Sequence, residues 1–193
     1  MTAAEVDTRV RCGWVPTGSA PNSVLYQEYH DTEWGVPLRG ERALFERVSL
    51  EAFQSGLSWL TILRKRDGFR RAFAGFDPEQ VARFTDADIA RLMDDVEIVR
   101  NRAKIEATIN NARVIGDLDV DFSDLLWSFA PARRPRPEVM ADVPAVTAES
   151  TAMAKELKRR GFRFVGPTTA YALMQATGMV DDHIATCWVP SAG

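Results

Sequence analysis

Apolar positions along this chain recur with the helical period, and the strict alternation of a half-buried strand is almost absent. Between Glu41 and Gln54, the residues Leu44, Phe45, Val48 and Phe53 follow that period. A second helix is expected over 58–65, carrying Leu60, Ile62 and Leu63, with Asp67-Gly68 ending it. Asp77-Pro78 sets an N-cap before a first-turn proline, and Thr85-Asp86-Ala87-Asp88 has capping-box spacing ahead of Ile89, Leu92 and Met93. Further helices are expected over 98–115, 122–129, 147–160 and 168–177. Residues 131–137 (PARRPRP) read as a loop, because proline blocks both helix and ladder there. Residues 1–40, rich in Gly, Pro, Ser and aromatics, read as an irregular segment packed on a helical body. The pattern predicts an all-α fold.

Composition narrows the class. At 193 residues and 46% hydrophobic, the chain suits a single globular unit over 1–193 that buries its own core. Its 24 basic and 27 acidic residues leave a net charge of −3, which excludes a bulk-basic nucleic-acid coat or a polybasic membrane binder. Any anionic partner must be met by a local patch. No apolar run reaches bilayer length, so no membrane association is expected. The opening MTAAEVDTRVR has neither a basic leader nor an apolar core, so no export signal is expected. Two distant cysteines do not make a disulfide framework, and the expected location is the cytoplasm.

The soft metal ligands are few and come in couples. Cys12 and His30 lie near one end, His183 and Cys187 near the other. If 183–187 is helical, its two ligand side chains share a face. Two thiolates and two imidazoles suit a closed tetrahedral Zn²⁺ site, which would clasp the two terminal segments, 11–40 and 179–193, across the helical body at about 41–178. The alternative is two buried cysteines beside unrelated histidines.

A second feature is a helix, a glycine-bounded turn and another helix at about 147–178. Lys155, Lys158, Arg159, Arg160 and Arg163 crowd it, giving a positive window in a negative protein. Gly161 and Gly166 permit positive φ and close approach of a phosphate backbone, and the second helix offers its N-terminus to an anion. Equally, the cations complement the helix dipole and Gly161 is a C-cap. Arg64-Lys65-Arg66 with Arg70 and Arg71 forms a further basic cluster, either a phosphate-binding face or a solvated surface.

Read together, Arg11-Cys12-Gly13-Trp14, Tyr26…Tyr29-His30-Asp31, Glu33-Trp34-Gly35-Val36-Pro37, Leu50-Glu51…Gly56-Leu57-Ser58-Trp59, Gly161-Phe162-Arg163-Phe164-Val165-Gly166 and Asp182-His183…Cys187 closely resemble the bacterial 3-methyladenine DNA glycosylase I family. The resemblance runs in order over nearly the whole chain. It implies a helix-hairpin-helix base-excision-repair enzyme that flips 3-methyladenine out of double-stranded alkylated DNA and releases the free base by hydrolysis, without cutting the strand. It also implies one structural zinc per chain on Cys12, His30, His183 and Cys187, and a monomer.

The family's base pocket maps onto Glu51, Tyr26, Tyr29 and Trp59, with Trp14 close by. Those residue types suit the chemistry. A base in a duplex must be extruded to be reached, and a cationic methylated base gains a cation–π contribution on aromatic faces that normal adenine lacks. A carboxylate at Glu51 accepts from the exocyclic amine and complements the charge. Otherwise Glu51 is an exposed helix residue and the aromatics are core, the reading favoured for Trp34 and Trp127. Gly56-Leu57 matches the segment that fills the gap left by the flipped nucleotide; Leu57 otherwise starts a helix. Gly161, Arg163, Gly166 and Thr168 are expected at the DNA. The wider superfamily places a catalytic Asp at the register of Asp181, where this family commonly has Asn; Asp181 either supports catalysis or caps the segment before His183. Thr168 stands where strand-cutting relatives carry a nucleophilic lysine, which agrees with a purely hydrolytic enzyme.

Overall fold

In a computed structural model, which describes residues 7–191, every regular element among those residues is helical. The first six residues of the opening stretch read above for an export signal lie outside this range. The main helices are α1 (Pro21–Thr32), α2 (Glu41–Gln54), α3 (Trp59–Ala72), α4 (Pro78–Ala82), α5 (Asp86–Asp94), α6 (Arg102–Gly116), α7 (Phe122–Trp127), α8 (Ala148–Arg159) and α9 (Pro167–Ala176). None of them is long and apolar enough to cross a membrane. Residues 131–137 are irregular, as their prolines require.

Helix α2 is the axis of the molecule. It contacts α3, α6, α7 and α9, and nine of its fourteen residues are buried, Arg47 and Glu51 among them. A helix buried around most of its circumference lies inside the core, and here its buried polar members mark the side that faces a site. Phe45, Phe53, Phe69, Phe73 and Phe76 pack ring to ring beside it, with Phe53 and Phe69 centroids 4.6 Å apart. Helices α8 and α9 form an antiparallel pair whose second member also lies on α2.

The capping signals act where the sequence places them. Asp77 accepts from the backbone N–H three residues on at 3.2 Å, and the Asp88 carboxylate accepts from Thr85 N at 2.9 Å; Thr147 caps α8 in the same way, at 3.2 Å, a cap the sequence reading did not name.

Two expectations need correction. Residues 1–40 are not irregular throughout, because α1 lies within them. Its inward face is built from Tyr26, Tyr29 and His30, at i, i+3 and i+4, so the aliphatic signature of a helix is missing. The second correction concerns α3, which runs through Asp67-Gly68 to Ala72. Gly68 does not end the helix; it admits a neighbour. A Cβ there would stand 2.5 Å from the Glu97 carbonyl oxygen, so the loop before α6 presses directly on the α3 backbone.

Gly68→Ala is therefore expected to destabilise the protein by ~2 kcal/mol or more through backbone displacement, although alanine is the better helix former. Chemical denaturation of wild type and variant checks this; equal midpoints would show that the loop yields freely.

Candidate functional site

Cys12, His30, His183 and Cys187 meet at one buried point, with their ligand atoms all within 4.8 Å of one another. Cys12 Sγ and Cys187 Sγ stand 3.6 and 3.4 Å from His183 Nδ1, and Cys187 Sγ is 3.6 Å from His30 Nε2. A tetrahedral ion bonded to two thiolates and two imidazoles sets sulfur–nitrogen edges of about 3.5 Å, so the four residues fit one metal ion in a closed shell. The outer ring nitrogens are held as metal-ligating imidazoles usually are. His30 Nδ1 meets Asp31 Oδ1 at 2.8 Å, and His183 Nε2 meets the Trp34 carbonyl oxygen at 3.1 Å. Asp31 in turn accepts from Arg11 at 2.7 and 2.8 Å.

Burial brings the His183 pKa down to about 4, which keeps the imidazole neutral and its lone pair free. Burial pushes the Cys12 thiol up to about 12, so an incoming metal must displace its proton. His183 and Cys187 converge through a turn, with Cys187 N donating to the Ile184 carbonyl at 2.8 Å, and not on a helix.

A cavity of about 290 Å³ opens against this cluster. Trp14, Tyr26, Tyr29, Trp34 and Trp59 form its aromatic wall, with Glu51, Gln54 and Gln175 as polar members and Met140 and Ala172 completing it. The wall and the cluster share atoms in contact. The Trp14 ring lies 5.3 Å from His30, and Trp34 lies 4.7 Å from His183. Tyr29 and Trp59 meet at 5.3 Å. The Tyr29 hydroxyl accepts from Arg47 Nη1 at 3.3 Å, and Arg47 also pairs with Glu33, which is held by Arg66 at 2.6 Å.

Two polar groups in this cavity have nothing to bond. Glu51 is 5% exposed, and its carboxylate has no hydrogen-bond partner among the described residues. Burial pushes its pKa up to about 7, against a smaller pull in the other direction from Arg47 one turn earlier. The Trp59 indole N–H is likewise buried and unpartnered. Unsatisfied groups of this kind cost stability unless something else satisfies them.

Between α2 and α3, Gly56 (φ +80°) and Leu57 project from the body, and Leu57 is 41% exposed. Buried Lys104 supports this connection, donating to the carbonyl oxygens of Phe53 and Ser55 at 3.0 and 2.5 Å. The α8–α9 hairpin begins with a Schellman turn, in which Phe162 N donates to the Leu157 carbonyl and Gly161 takes φ +100°. Gly166 departs from expectation: its φ is −84°, and it caps α9 in extended backbone. Phe162 and Val165 are buried anchors, while Arg163, Phe164, Gly166 and Thr168 are exposed. Thr168, Ala172 and Gln175 follow i, i+4, i+7 along α9, so one helical face joins the hairpin to the cavity.

The model of the methyladenine glycosylase family matches residues 19–190. The chain belongs to this family. DNA-3-methyladenine glycosylase 1 of Escherichia coli K12 is 43% identical over 185 residues, covering 92% of this chain and 95% of that protein. A solved structure of 3-methyladenine DNA glycosylase I superposes with a TM-score of 0.87 at 43% identity, covering 93% of this chain and 98% of that one. A Staphylococcus aureus structure, solved to show the basis of 3-methyladenine recognition, gives 0.84 at 38% identity, over 91% and 95% of the two chains.

In this glycosylase the structure brings Trp14, Tyr26, Tyr29, Glu51 and Trp59 to one cavity, and the four metal-type ligands to one point beside it. Asp181 is not in the cavity. Its carboxylate pairs with Arg136 Nε at 2.9 Å and accepts from His183 N at 3.3 Å. Trp34, read from sequence as core, is both core and cavity wall. Gln54, Met140, Ala172 and Gln175 were not anticipated; the i, i+4, i+7 spacing of 168, 172 and 175 is the one signal that pointed to two of them. The Arg64–Arg71 cluster is mostly spent on internal pairs, Arg66 with Glu33, Arg70 with Glu46 and Arg71 with Glu97. Around the hairpin, Arg159 and Arg160 pair with Glu156, whereas Lys155, Lys158 and Arg163 carry no ion pair among the described residues.

The raised Glu51 pKa sets a pH dependence of stability. The folded state holds the proton between the ordinary 4.5 and about 7, so stability falls as pH rises through that window. Glu51→Gln removes the burden, and the variant is expected to gain on wild type by up to ~3 kcal/mol between pH 4.5 and 8. Denaturation at a series of pH values checks this; a constant offset would mean that the carboxyl titrates normally.

Proposed function

We propose that Glu51 and the surrounding rings receive an extruded 3-methyladenine, and that these residues recognise it by charge as much as by shape. The chain is a base-excision-repair DNA glycosylase, and its substrate is alkylated double-stranded DNA. The observation that carries the recognition reading is the buried, unpartnered Glu51 carboxylate inside an aromatic cavity. A normal adenine is neutral and leaves the cost of ionising Glu51 unanswered. A 3-methylated adenine still attached to its sugar is cationic, so its entry favours the ionised carboxylate and adds a cation–π contribution on Trp14, Tyr29 and Trp59. The exocyclic amine offers Glu51 a donor, and a ring nitrogen offers the Trp59 N–H an acceptor.

Hydrolysis follows from the same charge. The cationic base leaves neutral with the bonding electrons of the glycosidic bond, and water adds to the sugar carbon that this exposes and gives up a proton to solvent. The ionised Glu51 beside the site stabilises positive charge while the bond breaks. No lysine lines the cavity and position 168 is threonine, so no amine is placed to form a Schiff base and carry the reaction on to strand cleavage. Leu57 enters the gap in the base stack, and the hairpin with Arg163 and Thr168 holds the backbone. Asp181 anchors Arg136 and the segment before His183. The enzyme acts as a monomer, alongside the DNA in the cytoplasm.

The Cys12, His30, His183 and Cys187 site takes zinc, on the strength of its two thiolates, two imidazoles and tetrahedral edges. Four protein ligands leave no position for substrate, so the ion serves as a clasp. Its loss is expected to lower thermal stability and to release one zinc per chain into a chelator. Elemental analysis beside a thermal melt checks both.

The deciding assay is base release from N-methylated duplex DNA, resolving 3-methyladenine from 7-methylguanine. Wild type should release 3-methyladenine selectively, with kcat/KM rising as Glu51 ionises around pH 7. Glu51→Gln should lose about 10²-fold and that pH dependence, while Asp181→Asn stays within about threefold. Equal release by Glu51→Gln overturns the recognition role.

A further inference from the structure

The hairpin contains one residue whose backbone and side chain are both costly to the folded protein. Phe164 has φ +58°, the left-handed region that a bulky side chain rarely enters. Its ring is also 44% exposed, among the largest apolar exposures in the molecule. The chain bends at Phe164 between two buried anchors, but a glycine would make that bend without strain and without an exposed ring. The Schellman turn is made by Gly161 two residues before the hairpin tip, and the flanking Phe162 and Val165 supply the anchors in the core.

The strained conformation is imposed from outside the hairpin. Asn111 on α6 grips both sides of residue 163, its Oδ1 accepting from Arg163 N at 2.8 Å and its Nδ2 donating to the Arg163 carbonyl at 3.0 Å. Asn110 donates to the Gly161 carbonyl at 2.9 Å. Such residues persist when their surroundings over-determine them, and they cluster where a ligand is held. Phe164 lies next to exposed Arg163, two residues before the open N-terminus of α9, on the element whose face leads to the base cavity. A Cβ added at Gly166 would meet nothing within 4 Å, so the backbone at the start of α9 is open to a ligand.

We propose that Phe164 is a preformed apolar contact for nucleic acid, its ring packing on the C–H face of a deoxyribose while neighbouring groups take the phosphates. The inference rests on the DNA-glycosylase reading and extends it, since phosphate contacts alone explain neither the exposed ring nor the strain. A charge contact and an apolar contact differ in one measurable respect. Each phosphate contact contributes to the slope of log affinity against log salt concentration, whereas a ring on a sugar does not.

The test measures binding of a duplex carrying a tetrahydrofuran abasic analogue across a salt series, with thermal melts of each protein. Phe164→Gly removes the ring and the strain together, so its Tm is expected within a few degrees of wild type while Kd rises about five- to tenfold at every salt concentration. Phe164→Tyr should bind as wild type does. Arg163→Ala should instead flatten the salt slope. Unchanged Kd in Phe164→Gly overturns the proposal, as does a loss confined to low salt, which would reduce the ring to a prop for phosphate contacts. Should Phe164→Gly melt far below wild type, Phe164→Asn, which tolerates the same backbone, decides on the same criteria. Absence of duplex binding by wild type would overturn the DNA reading itself, and this proposal with it.

Discussion

The meeting of Cys12, His30, His183 and Cys187 is the constraint on which the site depends. The aromatic wall comes mainly from a segment outside the helical core, with Trp14 two residues from one ligand and Tyr29 next to another. The carboxylate and Trp59 come from α2 and α3 inside it. The outer segment is tied to α2 through Arg47, which reaches Tyr29 and Glu33, and to the end of α9 through the backbone of Gly35 and Leu38; the four ligand residues add a closure between the two terminal segments. Asp31, braced by Arg11, carries that fixation outward, and the Trp34 carbonyl ties His183 back to the wall. With an ion bound there, the first and last parts of the chain would be registered against each other by coordination geometry, which tolerates little displacement.

Against that fixed wall, Glu51 is left deliberately unsatisfied. Arg47, Tyr29, Glu33 and Arg66 form a connected polar network behind the cavity, and Glu51 stands outside its hydrogen bonds although Arg47 is one turn away. A carboxylate absorbed into that network would stay ionised at neutral pH and be less responsive to the charge of a guest. Left alone in an aromatic cavity, it would respond strongly to a cation and weakly to a neutral base, as the proposed recognition requires. Recognition and instability have the same origin here, as is common where a protein keeps a polar group unpaired for a ligand.

The fold was largely legible because its signals are local. Caps at Asp77 and Thr85 and the apolar spacing of α2 each specify a helix without reference to distant residues. The failures share a cause. Helix α1 turns Tyr and His inward in place of Leu and Ile, since its buried face belongs to the site. Gly68 looks like a stop until Glu97, 29 positions away, is seen to need the space. The cavity residues named from family motifs came together, yet Gln54 and Met140 carry no signal that marks them, and Ala172 and Gln175 are marked only by their spacing from Thr168 along α9. Asp181 shows the converse: its type and register suggest catalysis, but the partner that claims it, Arg136, lies in a loop that the sequence leaves without structure.

The shared face of α9 has a geometric consequence. The hairpin sits at one end of a rigid ten-residue rod, and Ala172 and Gln175 line the cavity one and two turns along it. The helix is therefore a ruler, fixing the span between the gripped backbone and the pocket at about 1.5 Å per residue. It is also a protractor, since each added or deleted residue swings the far end by about 100°. A nucleotide swung out of the duplex follows an arc set by its own sugar and phosphates. On the proposed reading, the length and phase of this one helix are what that arc has to meet.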